Sequence, residues 1–312
     1  MSQPRSPLHW HIGLVGYGEV GRILAEDLRQ LGVRVSAYDR KLDEPASAEP
    51  LRCHAANLGV ALAPSPLALA ADADCLISAV TADQTVAVAE ACATALSHGA
   101  FFLDLNSASP AAKQAAAALI DGAGAGGRYV EGAVMTSVPP YRSKVPLLLG
   151  GESAAALCPL LGELGFAARV ASAQLGVASA TKMCRSVMIK GLEAMVIESL
   201  STARHYGVED AVLASLYETF PGIDWEQQAA YFFQRVIEHG RRRSEEVREV
   251  ANTVADAGLT PWSASGTAAR QAWMADLADA GVFGSKHAPD FARSPDWRTE
   301  ADRLLASLTQ KD

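Results

Sequence analysis

Cysteine is scarce and unpaired in this chain of 312 residues: Cys53, Cys75, Cys92, Cys158 and Cys184 are odd in number, scattered, and without a C-x-x-C pair. That pattern excludes a disulfide framework and a thiolate zinc site, and it suits the reduced thiols of a cytoplasmic protein. No apolar run comes near the ~20 residues that a membrane span needs. Positive charge is also short, with Lys+Arg 27 against Asp+Glu 35 and a net charge of -8, so the basic footprint of a nucleic-acid or anionic-membrane binder is missing. Residues 1–9 are polar and carry prolines, and they do not read as a signal peptide. There is no internal repeat, and no spacing of ligands calls for a metal. What remains is the composition of an ordinary globular protein, 49% hydrophobic and 20% charged, in a length sufficient for two domains with a core each.

Up to about residue 172, short apolar runs alternate with helical periodicities. Strands are expected at 12–15, 34–38, 60–62, 75–80 and 101–105, with helices at 19–31, 46–58, 66–71 and 84–96 between them, which is the grammar of a parallel sheet. A helix at 110–120 runs into a glycine-rich turn at 122–127. Further strands at 129–134, 145–149 and 167–171, with a helix at 153–164, extend the sheet. Strand patterns then stop. Helices follow at 176–206, 209–218 and 225–257, then one with Thr260 as N-cap and Pro261 in its first turn, and a last one at 296–308. The fold class is therefore α/β: an N-terminal Rossmann-type, doubly wound parallel sheet over 1–173, followed by an all-α domain over 174–312.

The most informative stretch is Gly16-Tyr17-Gly18-Glu19-Val20-Gly21 with its flanks. A strand precedes it and a helix follows, so the three glycines have separate tasks: a tight turn, close backbone approach to a pyrophosphate, and close packing of helix on strand. The helix N-terminus that follows favours phosphate. Asp39 closes the second strand about 20 residues on, where a carboxylate accepts from ribose hydroxyls and repels a 2′-phosphate. This favours NAD as cofactor, while Arg40 and Lys41 directly after it keep NADP open. Val80 and Thr81 end the fourth strand on the edge where open α/β sheets place ligands, and the same residues are equally explained as a turn capped by Asp83.

Asp104-Leu105-Asn106-Ser107-Ala108-Ser109-Pro110 closes the fifth strand and opens a helix. Here the chain resembles the 6-phosphogluconate dehydrogenase and β-hydroxyacid dehydrogenase superfamily, in which D-x-[S/N]-[S/T]-x-x-P binds the substrate carboxylate. Asn106 and Ser107 hold the matching positions, and Ser107 or Ser109 also suits a helix cap ahead of Pro110. The family's second substrate segment is similar to D-A-P-V-S-G-G. In its place stands Glu131-Gly132-Ala133-Val134-Met135-Thr136-Ser137, with Thr136 and Ser137 as hydroxyl donors and 138–142 as a stiff, charged loop. Gly176 to Ser186 resembles the family's G-x-G-x-x-x-K-x-x-N-N, which puts Lys182 at the catalytic lysine, near the expected domain boundary. Such a lysine takes the proton of a substrate hydroxyl once burial or a neighbouring cation lowers its pKa from about 10.4 toward neutrality. The paired asparagines are replaced by Arg185 and Ser186.

At 100° per residue Ser186 and Lys190 share the face of Lys182 and Arg185 flanks it, which suits an acidic substrate; Lys190 is also explained by surface pairing with Glu193 or Glu198. His239-Gly240-Arg241-Arg242-Arg243 sits in a helix whose apolar spacing stays in phase across Gly240, so the helix is expected to continue, with glycine where something approaches closely. At least one of the three arginines must point inward. His239 and Arg241 are candidates for substrate contact, against the plain reading of a solvated charged face.

The resemblance implies an oxidoreductase: an NAD(P)-dependent dehydrogenase acting on the CH–OH of a small β-hydroxy or sugar acid, with decarboxylation if the product is a β-keto acid. Two rivals stand beside it. Imine reductases resemble the same superfamily and often lack the lysine, and an NAD(H)-binding regulatory protein needs no turnover. The apolar helical half suggests a homodimer.

Overall fold

The computed structural model describes residues 6–124, 126–288 and 291–309. The chain forms two compact units, one up to Met183 and one from Cys184 onward. The first is built on an eight-stranded sheet in the order β3-β2-β1-β4-β5-β6-β7-β8. Its strands are β1 (His11–Val15), β2 (Arg34–Tyr38), β3 (Ala61–Leu62), β4 (Cys75–Ser78), β5 (Phe101–Asp104), β6 (Arg128–Val134), β7 (Leu147–Gly150) and β8 (Ala168–Ser172). The order turns at β1, from which β2 and β4 extend to either side, and ligands in such sheets bind outside the carboxyl ends of the strands at that switch.

One correction concerns direction. Neighbouring strands from β3 to β6 pair parallel, but β7 runs antiparallel to β6, and β8 is parallel to β7. A parallel return needs a crossover, usually a helix. Residues 135–146 carry only one turn of 3-10 helix, Arg142–Lys144, so the chain reverses at the ligand edge.

Helices α1 (Glu19–Gln30), α2 (Pro45–Leu58), α3 (Pro66–Ala71), α4 (Thr85–Ala93), α5 (Pro110–Gly122) and α6 (Ala154–Glu163) connect the strands. Central strands β1, β4 and β5 are buried throughout, as expected of strands covered on both faces. One core cluster holds Ile12, Leu14, Leu24, Leu28, Ile77 and Leu103; another holds Val15, Leu69, Leu76, Phe102 and Ile120. Each such side chain contributes ~1.5–3 kcal/mol on burial. The glycine turn expected at 122–127 includes Ala125, which lies outside the described residues, as do residues 1–5 of the N-terminal stretch.

Helix α7 (Val177–Tyr206) begins in the first unit and is 30 residues long. The second unit adds α8 (Glu209–Thr219), α9 (Trp225–Asp256), α10 (Trp262–Asp279) and α11 (Trp297–Thr309) around Phe233, Val236, Met274 and Trp297. Helix α9 runs unbroken through Gly240, where an added Cβ would lie 2.7 Å from the Gln271 carbonyl oxygen on α10. Pro261 is the N-cap of α10 rather than part of its first turn, because its ψ of 50 is not helical. No described helix is long and apolar enough to cross a membrane.

Candidate active site

The glycine turn at the carboxyl end of β1 is assembled from steric necessity. Gly16 has φ +93, and a Cβ there would meet the Ala79 carbonyl oxygen at 2.3 Å. A Cβ on Gly21 would sit 2.0 Å from the Gly16 carbonyl oxygen, so α1 packs directly on the turn. Around Gly18 there is nothing within 4 Å, and as N-cap of α1 it makes no side-chain cap hydrogen bond. An open face above a glycine, beside an uncapped first helical turn, fits a pyrophosphate. Glu19 and Val20 form that turn, with Glu19 exposed and Val20 half-buried. Asp39 Oδ2 accepts from the Tyr17 N–H at 2.8 Å and Oδ1 from the Lys41 N–H at 2.9 Å. These bonds fix the carboxylate beside the turn. Arg40 follows in an exposed 3-10 turn.

The Tyr17 side chain points into the fold. It is wholly buried, and its hydroxyl lies 2.9 Å from His54 Nδ1, whose Nε2 is 3.0 Å from Glu26 Oε1. Burial raises the Tyr17 pKa to about 12. Only the backbone of Tyr17 belongs to the turn's surface.

At the ends of β4 and β5, Asn106 works as a clamp. Its Oδ1 accepts from the Val80 N–H at 2.7 Å and its Nδ2 donates to Ser78 Oγ at 2.9 Å. The side chain is 3% exposed, and these bonds tie the end of β4 to the turn after β5. Thr81 donates to Asp83 Oδ1 at 2.5 Å, and this bond with that from Gln84 holds the Asp83 carboxyl below its usual range.

Beneath the same turn lies a fully buried ion pair. Lys113 Nζ is 2.7 Å from Asp104 Oδ1 and also donates to the Asp104 carbonyl at 2.9 Å. Asp104 Oδ1 accepts from the Asn106 N–H at 2.9 Å, and Oδ2 from the Tyr129 hydroxyl at 2.7 Å. Burial, and then the Asp104 charge, push the Tyr129 phenol well up.

Lys182 meets this turn. Its Nζ donates to Ser107 Oγ at 2.6 Å. The start of its helix is anchored by Glu131, a wholly buried carboxylate on β6 that accepts from the N–H groups of Gly176, Ala178 and Ser179 and from Ser179 Oγ. Room for it comes from Gly150 on β7, where a Cβ would lie 2.3 Å from Glu131 Oε1. Thr136 is exposed and Ser137 half-buried at the end of β6. The charge of the following loop is turned onto α1: Arg142 pairs with Glu26 at 2.6 Å and Asp27 at 2.7 Å.

The sequence gives no sign of Lys113, and it shows Glu131 and Arg142 as members of their segments without their partners. A signal existed for Glu131, since a carboxylate inside the apolar run 128–134 must find partners within the fold.

In the second unit Arg185 is exposed and Ser186 is 7% exposed. Lys190 is buried and pairs with Glu246 on α9 at 2.5 Å, in place of the surface pairing with Glu193 or Glu198; burial pulls its pKa down, opposed by Glu246. The inward arginine is Arg243, buried and paired with Glu193. Arg241 is exposed and held by Asp276 at 2.5 Å and Asp279 at 2.7 Å. Burial and the nearby Arg235, Arg242 and Arg243 hold His239 down to about 4. Among the described residues no group of three or more His, Cys, Asp or Glu is placed to hold a metal.

Residues 11–155 match the family described as the NAD binding domain of 6-phosphogluconate dehydrogenase, and residues 203–274 match a domain of unknown function, DUF1932. A conserved hypothetical protein from Sinorhizobium meliloti 1021 with a crystal structure is 38% identical, over 95% of this chain and 96% of that one, with a TM-score of 0.72. The chain belongs to the 6-phosphogluconate dehydrogenase and β-hydroxyacid dehydrogenase superfamily. An uncharacterized 28.5 kDa protein of Methanothermus fervidus is 27% identical over 258 residues, 80% of this chain and 93% of that one. The fold is also that of Mycobacterium tuberculosis 3-hydroxyisobutyrate dehydrogenase, solved with L-serine: 18% identity, a TM-score of 0.66, and 95% and 99% of the two chains covered. Within the superfamily this chain carries a nicotinamide dinucleotide-binding domain.

Proposed function

We propose that this protein is an NAD-preferring dehydrogenase that oxidises the hydroxyl of a small β-hydroxy acid, with Lys182 as general base. The observation that carries the reading is the 2.6 Å contact between Lys182 Nζ and Ser107 Oγ at the carboxyl edge of the sheet. A nicotinamide dinucleotide, when bound, supplies the hydride acceptor. The turn 16–21 would hold its pyrophosphate and Asp39 its ribose, and the Asp39 charge disfavours a 2′-phosphate.

Ser107 accepts from Lys182, so its own hydroxyl hydrogen is left to donate to a substrate carboxylate. Anchored in this way, Lys182 Nζ in its neutral form takes the proton of the substrate hydroxyl as the C–H bond breaks, and the alkoxide never has to form free in solution. Thr136 and Ser137 at the end of β6 offer further hydroxyls. Arg185, one helical turn beyond Lys182 on the same helix, adds the positive charge that draws an acid.

A panel of small hydroxy and sugar acids, assayed for reduction of NAD and of NADP with released carbon dioxide measured alongside, tests this reading. NAD reduction by a β-hydroxy acid is the expected result. Turnover of a ketone with an amine, and none with any hydroxy acid, would instead make the protein a C=N reductase. Cofactor binding with no turnover on either panel would make it a binding protein.

A further inference from the structure

Asp104 and Glu131 are register partners on β5 and β6 and both are 0% exposed. Two neighbouring carboxylates buried at a ligand edge are costly unless each is fully engaged. Asp104 holds the turn that presents Ser107, through the Asn106 N–H and Lys113. Glu131 holds the start of α7, which presents Lys182, through Gly176 N–H at 2.8 Å, Ala178 N–H at 3.1 Å and Ser179 Oγ–H at 2.7 Å. The two arms that meet at Lys182 and Ser107 are thus tied to adjacent residues of one sheet.

We propose that Glu131 is a positioning residue for Lys182. It fixes the axial rotation and the height of the α7 N-terminus relative to the sheet, so that Lys182, one turn after Ser179, brings Nζ onto Ser107 Oγ. The inference rests on Lys182 being the general base. An N-cap from within the helix's own chain would satisfy the same N–H groups, but it would leave the first turn of α7 free to rotate against β5. A carboxylate reaching from β6 passes the rigidity of the sheet to the helix, which is how a reactive group is held to a fraction of an ångström. The fold yields space for it: Gly150 has no Cβ where one would meet Glu131 Oε1 at 2.3 Å and Cδ and Cγ at 2.9 Å.

Glu131→Gln keeps the size and removes two acceptor sites. Gly150→Ala keeps the carboxylate and displaces it. Lys182 is read out by its labelling rate with trinitrobenzenesulfonate, followed by peptide mass spectrometry, with exposed Lys41 and Lys144 as references and buried Lys113 as a marker of the intact fold. Both variants are expected to label Lys182 at least about fivefold faster than the wild type, with Lys41, Lys144 and Lys113 unchanged. With an active hydroxy acid from the panel, kcat is expected to fall by about 10–100-fold while KM for NAD stays within twofold, the size of effect that a misplacement of about 1 Å produces.

Labelling of Lys182 within twofold of wild type in both variants overturns the proposal. So does labelling of Lys113 together with Lys182, since Glu131 would then only hold the fold. The labelling result does not depend on turnover, so full activity of Lys182→Ala would remove the general-base reading and leave the positioning result standing.

Discussion

Gly18→Ala and Gly21→Ala add the same methyl group to the same turn and are expected to fail in different ways. At Gly21 the new Cβ lies 2.0 Å from the Gly16 carbonyl oxygen and 3.0 Å from its carbon. Both are backbone atoms, so α1 must move off the turn by more than about 1 Å, at a cost of ~1–3 kcal/mol as in other overpacked sites. At Gly18 the methyl meets no protein atom within 4 Å, and φ is -74, which alanine accepts. The expected loss there is at most ~1 kcal/mol, from exchanging a favourable N-cap residue for alanine. The methyl instead occupies the open face that we propose for pyrophosphate. Thermal unfolding and NADH fluorescence titration separate the two effects. Gly21→Ala should lower Tm by several degrees and weaken NADH. Gly18→Ala should keep Tm within about 4 °C of wild type and weaken NADH at least tenfold, about 1.4 kcal/mol. A Gly18→Ala protein that binds NADH like the wild type would refute the assignment of this turn to the cofactor.

Three further outcomes follow from the geometry. Asp39→Ala removes the charge proposed to lie beside the ribose, along with acceptors for two backbone N–H groups; the ratio of NADP to NAD affinity should rise at least about tenfold, with ~1 kcal/mol lost from the cap, both read by titration and thermal unfolding. Arg243→Met removes the guanidinium paired with the buried Glu193, leaving it, among the described residues, hydrogen-bonded to the Gln271 amide at 3.2 Å and near the Lys190 charge, and urea unfolding followed by tryptophan fluorescence should show a loss of ~3 kcal/mol that Glu193→Gln in the same chain largely restores. His239 is held down to about 4, first by burial and then by Arg235, Arg242 and Arg243. An unfolded chain therefore binds the extra proton between about pH 4 and 6.5, so stability is full above pH 6.5 and falls on the order of 2–3 kcal/mol as pH drops through that window. His239→Gln should flatten this part of the stability–pH curve.

Much of the fold was legible because its determinants are local. Apolar runs closed by turns marked all eight strands, and the phase of apolar residues carried α9 across Gly240. The reversal at β7 was harder to read, since strand direction is decided by the connection. The only trace in the sequence was a segment between β6 and β7 without helical periodicity. Buried charges were least legible, because what makes them tolerable lies far along the chain: Glu131 is satisfied 45 to 48 residues later, and Arg243 is drawn inward by Glu193 of another helix. Periodicity showed that one of three arginines must turn in. Which of the three turns in is decided by a partner that periodicity does not supply, Glu193 for Arg243. Asn106 was recognised as a residue of the ligand edge, yet its hydrogen bonds to Val80 and Ser78 depend on the juxtaposition of β4 and β5, which only the folded sheet provides.

The assignment of Lys182 is tested most directly by comparing wild type and Lys182→Ala for both NADH binding and NAD reduction by the active hydroxy acid. The expected result is unchanged NADH affinity with kcat reduced by about 10²–10⁴-fold, the usual contribution of a general base. Reduction of NAD by Lys182→Ala at the wild-type rate would contradict it.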